Sequence, residues 1–217
     1  ELKDANEMLV KGKGTELMNS MWESKIYTPD GIVFGKDTWE KLIEENDKES
    51  IPYSWNGLNN KTSGIRRGEI VCFTAGTGQG KSQVCREIAH HLILQNERVA
   101  YIALEENITR SIRGLVSIGL SKPIHLPEVR KEISEKEMKE AWTTIKDNCF
   151  FYDHWGSIES DNLLNRIKYL VRACGCQWII LDHLSIVISG QENSDERRLI
   201  DNTMTKLRSL VEQLNIG

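Results

Sequence analysis

No stretch of this chain approaches the roughly 18 consecutive apolar residues needed to cross a bilayer. Nothing near Glu1 resembles a secretory signal either, so no membrane partner is expected. Cysteine is scarce and odd in number, with five residues (Cys72, Cys85, Cys149, Cys174 and Cys176). Only Cys174 and Cys176 lie close together, and no second pair stands nearby to complete a zinc site. Buried free thiols in a reducing cytosol are the expectation. Positive charge is not in excess: 28 Lys and Arg face 32 Asp and Glu, a net charge of −4. That excludes a surface broadly coated for nucleic acid, though not contact through a few loops. Repeats and low-complexity tracts are missing as well. A chain of 217 residues that is 39% hydrophobic can bury one good core, which predicts one main domain with a short appendage. It begins at Glu1 rather than Met and stops after Asn215-Ile216-Gly217, and both ends read as cuts from something longer.

What is present is led by Ala75-Gly76-Thr77-Gly78-Gln79-Gly80-Lys81-Ser82, directly after the apolar run Ile70-Val71-Cys72-Phe73. This fits the phosphate-binding loop, with alanine in place of the first glycine and the Gly-Lys-Ser ending intact. The glycines let the backbone curl with its N–H groups aimed at phosphate oxygens, and the helix that follows adds the positive end of its dipole. Lys81 is predicted to reach the β- and γ-phosphates and Ser82 to hold magnesium. A plain Gly-rich turn would leave the lysine and serine unexplained, so a nucleoside triphosphate is the expected ligand.

The rest of the chain alternates short apolar runs with amphipathic stretches. Leu17, Met18, Met21 and Trp22 have helical spacing, residues 28–31 (Thr-Pro-Asp-Gly) read as a turn, and a second helix is predicted from Asp37 to Glu45. A charged, loop-like stretch leads to Ser50, and the compact domain opens near Ile51. Strands are predicted at Glu69–Thr74, Arg98–Ala103, Cys149–Tyr152 and Gln177–Leu181. Helices are predicted at Gly80–Gln95, between Asn107 and Asp147, at Ile158–Ala173 and at Asp195–Leu214. This alternation implies an α/β fold with a mainly parallel sheet and crossover helices. Val71–Phe73, Val99–Ala103 and Trp178–Leu181 lack polar alternation, as strands covered on both faces do. His90 and His91 lie inside a helix and are given no catalytic role.

Two further acids belong with the loop. Trp178-Ile179-Ile180-Leu181-Asp182 is an apolar strand ending in a carboxylate. Ligands gather at the carboxyl ends of parallel strands, so Asp182 is expected to share a crevice with Ser82 and to hold magnesium there. The strand after the phosphate-loop helix ends in Leu104-Glu105-Glu106. A carboxylate at that point can orient and deprotonate the water that attacks the γ-phosphate. Glu105, at the strand end, is preferred, and one of the two acids is free to cap the following helix.

With these elements in place, the chain resembles the helicase half of the podovirus primase–helicase family, related to mitochondrial Twinkle and bacterial DnaB. The resemblance covers nearly the whole chain. Its most specific run is Ile179-Ile180-Leu181-Asp182-His183-Leu184-Ser185-Ile186-Val187, followed by Ser194-Asp195-Glu196-Arg197-Arg198 and Ile200-Asp201. Residues 3–7 resemble the tail of a primase module, and residues 27–33 the segment between linker helix and motor. The resemblance implies a tail at 1–12, a linker helix and connector at 13–50, and a RecA-like phosphate-loop ATPase core at 51–217. It implies ATP or dTTP with Mg2+, phosphate contacts from Lys81 and Ser82, Glu105 as catalytic base and Asp182 as the magnesium-linked acid. The segment 188–197 then corresponds to a loop facing single-stranded DNA, with Gly190, Asn193, Arg197 and Arg198 as candidate contacts. Alone, such a loop is equally a solvated connector with a helix cap at Ser194.

The apolar stripe at Leu17, Met18, Met21 and Trp22 suits docking on another copy or packing on its own domain. The resemblance implies docking that builds a ring of six or seven copies, in a phage replisome in the host cytoplasm alongside other replisome proteins. It places a sensor strand, a second DNA loop and an arginine finger beyond Gly217, so slow hydrolysis and no unaided unwinding are expected of this piece. Three other readings stay open at this point: a RecA-type recombinase ATPase, a phosphate-loop small-molecule kinase, and a nucleotide-dependent assembly module.

Overall fold

The structure, a computed structural model, describes residues 4–24, 29, 31–43, 49–153, 160–184 and 196–217. Two compact units divide the chain, Glu1–Asp47 and Lys48–Gly217.

In the first unit the helical spacing of the sequence is realised as α1 (Ala5–Val10) and α2 (Gly14–Trp22), which pack on each other. Asp4 caps α1, its carboxylate accepting from the Glu7 N–H at 2.8 Å, and Gly12 turns the chain at φ +72°. None of the described residues of this unit is buried, and Met18, Met21 and Trp22 on α2 are exposed. The helix predicted over Asp37–Glu45 is split: a 3-10 turn at Gly35–Asp37 precedes α3 (Trp39–Ile43). Thr38 explains the break, because its hydroxyl donates to the Gly35 carbonyl at 2.6 Å and closes the tight turn before the helix restarts. Glu44 and Glu45 lie outside the described residues, as do Thr28 and Asp30 of the predicted turn.

The second unit is organised by the apolar run Val99–Ala103, which forms β3 and is buried along its whole length. Successive strand residues face opposite sides, so an all-apolar strand needs cover on both. It has it. Val99, Tyr101 and Ala103 pack with residues of α5 (Lys81–Leu94), α6 (Ile108–Leu120) and α8 (Glu135–Ile145), among them Leu92, Leu115 and Ile145. Ala100 and Ile102 pack with Leu163 and Ile167 of α9 (Ser160–Arg172) and Leu210 of α10 (Glu196–Leu214). Each buried Val, Leu or Ile side chain among these contributes about 1.5–3 kcal/mol.

On either side of β3 lie β4 (Cys149–Phe151) and β5 (Trp178–Asp182), both parallel to it, in the order β4-β3-β5. A short antiparallel pair, β1 (Ser50–Ile51) with β2 (Ile65–Arg66), brackets α4 (Asn56–Thr62). Between α6 and α8 runs the short α7 (Pro127–Lys131), and α8 opens on a full capping box of Ser134 and Glu137. The parallel sheet and flanking helices agree with the sequence expectation. Ile158 and Asp195, predicted helix starts, lie outside the described residues.

One predicted strand is corrected. Glu69–Thr74 has no place in a sheet among the described residues, and Val71 and Phe73 are 41% and 40% exposed. At its start β5 is flanked by Ile216 and Gly217, which also reach the 69–74 side. Gly217 exchanges backbone bonds with Gln177 and Ile179, while the Ile216 carbonyl accepts from the Gly68 N–H. Beyond them a cavity of 380 Å³ separates residues 69–74 from β5, so the segment has strand-forming residues but no neighbour to pair with. Cys72 rides on this segment and is exposed, which corrects the expectation of buried thiols there. Cys149 and Cys176 are buried, Cys85 and Cys174 half-buried, and all five are free.

Candidate nucleotide-binding site

The phosphate-loop residues 75–80 form an exposed turn that delivers the chain into α5. Gly78 and Gly80 hold φ +77° and +90°, backbone that other residues adopt only at a cost. Gly80 is the N-cap of α5 and supplies no side chain to cap it, and the first turn carries no acid. The first N–H groups of a helix lack intrahelical partners, so this end offers donors and positive potential to an anion. Lys81, the first helical residue, donates from Nζ to the carbonyls of Ala75 at 2.9 Å and Gly76 at 3.2 Å. Its ammonium is thus folded over the loop. Ser82 follows it, half-buried.

Asp182 ends β5 and is 7% exposed. Lys81 and Asp182 both line the 380 Å³ cavity, together with Cys85 and His183. Ser82 and Glu105 are not in that wall. Glu105 is brought close in another way. The register pairs Ala103 with Asp182, so the chain leaves β3 and β5 at the same edge of the sheet. There His183 stands between the two acids, Nε2 3.2 Å from Glu105 Oε1 and Nδ1 3.8 Å from Asp182 Oδ1.

Of the two adjacent acids, Glu105 is the open one, its side chain 55% exposed, and Glu106 the enclosed one at 10%. Neither caps α6. That role falls to Asn107, whose side chain accepts from the Arg110 N–H at 2.9 Å, because a short amide immediately before the first turn reaches it best. Glu106 instead accepts from Arg86 Nη2 at 2.6 Å and Ser111 Oγ at 2.8 Å. Burial opposes the Arg86 charge, but the hydrogen bond and charge of Glu106 outweigh it and raise its pKa. Burial, then the charge of Asp182, push the Cys85 thiol up to about 11 and raise the Tyr101 phenol.

The Arg86–Glu106 pair and the His183 contact escaped the sequence reading. A signal for Arg86 did exist: it lies three residues before buried Ala89 and seven before buried Ile93, on the apolar stripe of α5. His90 is buried, and His91 Nε2 lies 2.7 Å from the Pro52 carbonyl. Arg197 and Arg198 are exposed in the first turn of α10, while Gly190, Asn193 and Ser194 lie outside the described residues.

A glycine-rich loop feeding a helix, beside the carboxyl edge of a parallel sheet, is the layout of a phosphate-loop nucleotide-binding domain, and RecA-like helicase ATPase domains share it. Solved structures bear this out. One of them, an isolated ATPase domain, has a TM-score of 0.68 at 18% identity over 83% of this chain and 66% of its own. A DnaB-like replicative helicase, solved with attention to its interactions with primase, has a TM-score of 0.69 at 18% identity, covering 99% and 52%. Residues 50–217 match the family described as DnaB-like helicase C terminal domain, and the chain belongs to that family. The DNA helicase/primase of Enterobacteria phage T3 is 34% identical over 225 residues, 99% of this chain and 39% of that protein. The replicative DNA helicase DnaB of Geobacillus stearothermophilus is 21% identical over 182 residues, 81% and 40%. The chain thus spans about two fifths of the length of these relatives. Among the described residues no helix is long and apolar enough to cross a membrane.

Proposed function

We propose that this chain is the motor part of a replicative DNA helicase of the phage primase–helicase kind. It couples hydrolysis of ATP or dTTP to 5′-to-3′ travel on single-stranded DNA and to duplex unwinding. The observation that carries the reading is the single cavity lined by both Lys81 and Asp182, with Glu105 tied to its wall through His183 at 3.2 Å. The rest of that wall is mostly apolar and none of residues 75–80 lines it, so the triphosphate is placed on the exposed loop at Lys81 rather than inside the cavity. Loop N–H groups and Lys81 bind and orient the phosphates, the Lys81 ammonium exchanging its carbonyl partners for phosphate oxygens. Glu105, exposed enough to meet a water, accepts its proton, a contribution of about 10²–10⁴ in rate.

A carboxylate and a hydroxyl are the oxygen donors magnesium takes. Asp182 is a nearly buried carboxylate with a histidine nitrogen 3.8 Å away and the Arg86 charge within electrostatic reach. Ser82 lies next to Lys81 in the same first turn. These two oxygens would hold the ion, and few protein ligands suffice because phosphate oxygens and water complete its shell. When bound, it neutralises charge developing on the phosphates.

Residues 1–12 are read as the tail of a preceding module, 13–50 as a linker and 51–217 as the motor core. The exposed stripe of α2 docks on a neighbouring copy in a ring, acting with other replisome proteins in the host cytoplasm. Gly190 and Asn193, with Arg197 and Arg198 in the first turn of α10, are the proposed contacts to the strand. The test is phosphate release by the full-length protein with and without single-stranded DNA. Strong stimulation by the strand supports the motor, and a rate indifferent to DNA contradicts it.

A further inference from the structure

The acid beside the proposed base is the one the protein holds most tightly. Glu106 Oε2 lies 2.6 Å from Arg86 Nη2 and 3.4 Å from Arg110 Nε, while Oε1 accepts from Ser111 Oγ at 2.8 Å. The Arg86 and Glu106 side chains are only 14% and 10% exposed. Arg86 belongs to α5, the same helix that opens with Lys81 and Ser82. One ion pair therefore joins the phosphate-loop helix to the backbone that carries Glu105.

The surroundings are shaped for this pair. Gly114 lies in the interior of α6, where glycine costs about 1 kcal/mol relative to alanine. A Cβ there would stand 2.3 Å from Arg86 Nε and 2.6 Å from its Cδ. The helix forgoes a side chain so that the guanidinium can reach Glu106. Arg86 Nε and the Tyr101 hydroxyl are both buried with no hydrogen-bond partner among the described residues, so burial of this layer is costly. A buried ion pair is poor evidence of a stability device, since apolar residues of similar volume commonly do as well or better. Fixing a geometry is the better explanation.

We infer that Arg86 and Glu106 are a positioning couple for NTP hydrolysis. By clamping the chain after β3 onto α5, they set where Glu105 stands relative to Lys81, Ser82 and the γ-phosphate. Neither residue touches substrate; both act through Glu105, so the inference rests on Glu105 being the base. Nucleotide binding, made by the loop itself, does not depend on them.

The experiment measures steady-state hydrolysis, the Kd of a fluorescent triphosphate and thermal melting in the full-length protein. Its variants are Arg86→Gln, Glu106→Gln, the double Gln variant and Gly114→Ala. Gly114→Ala keeps both charges and displaces only the guanidinium, which guards against a variant that simply fails to fold. Each single substitution lowers kcat by about 10- to 100-fold, as expected for a misplaced base. Nucleotide Kd stays within about twofold in all of them. The double variant, whose amides can still bond each other, recovers part of the lost kcat. A kcat close to wild type in both Glu106→Gln and Gly114→Ala overturns the inference, even if melting falls. Parallel collapse of binding and turnover overturns it too, since that would place the pair in the loop's own folding. Glu105→Gln, run alongside, separates the two claims. Hydrolysis surviving that change removes the base reading, whereas its loss with unaffected pair variants removes only the coupling.

Discussion

Glu97 offers the sharpest check on how the sheet is held beside the site. It precedes β3, at the edge of the sheet away from Glu105 and Asp182, and its side chain is 14% exposed. Its carboxylate takes two bonds from Arg67 Nη2, at 2.9 and 2.8 Å, and one from the Trp178 indole N–H at 2.8 Å. Trp178 is 2% exposed, so Glu97→Ala leaves its N–H buried and unbonded, at about 1–3 kcal/mol. Loss of the pair with half-exposed Arg67 adds at most about 1 kcal/mol. The total of about 1–4 kcal/mol lowers Tm by roughly 2–16 °C for a domain of this size. Glu97→Gln keeps an acceptor for the indole and falls by less than half as much. Differential scanning calorimetry measures both, and a fluorescent triphosphate reports a Kd unchanged by either. A Tm for Glu97→Ala within a degree of wild type, or equal losses for Ala and Gln, refutes the reasoning.

Other outcomes follow from the same geometry. Gly80→Ala forces an L residue to φ +90° at the start of α5, at about 1–2 kcal/mol, and weakens triphosphate affinity in a titration. Burial pushes the thiols of Cys149 and Cys176 up to about 12, from a usual value of 9.0. The fold therefore favours their protonated forms, and that stabilisation is complete below pH 9 and is lost as pH climbs from 9 toward 12, visible in denaturant midpoints. At neutral pH, mass spectrometry after brief iodoacetamide treatment finds label on exposed Cys72 before Cys149. Replacing Met18, Met21 and Trp22 with serine removes assembly in sedimentation while leaving the melting of the 48–217 unit unchanged, because these side chains are exposed within their own unit.

Much of the candidate site was legible because the motifs that suggest it are local. The phosphate loop is eight consecutive residues, and the apolar strands ending at Ala103 and Asp182 announce both their burial and their acids. What escaped depends on residues far apart in sequence. Glu69–Thr74 has the composition of a strand, yet a strand exists only beside a partner, and the neighbouring space is a cavity. Thr38 broke a predicted helix through one hydroxyl bond that propensity does not register. Position at the strand end favoured Glu105 over Glu106, but did not show the contact that sets them apart in the fold. Arg86, 20 residues upstream, divides them by enclosing one and leaving the other at the surface. His183 joins Glu105 to the Asp182 edge across two strands that meet only in the folded sheet.

The most direct measurement of the central claim is turnover against binding in Glu105→Gln, with magnesium and single-stranded DNA present. The account predicts a fluorescent-triphosphate Kd close to wild type and phosphate release reduced by at least about 100-fold. Hydrolysis that continues near the wild-type rate in that variant would contradict it.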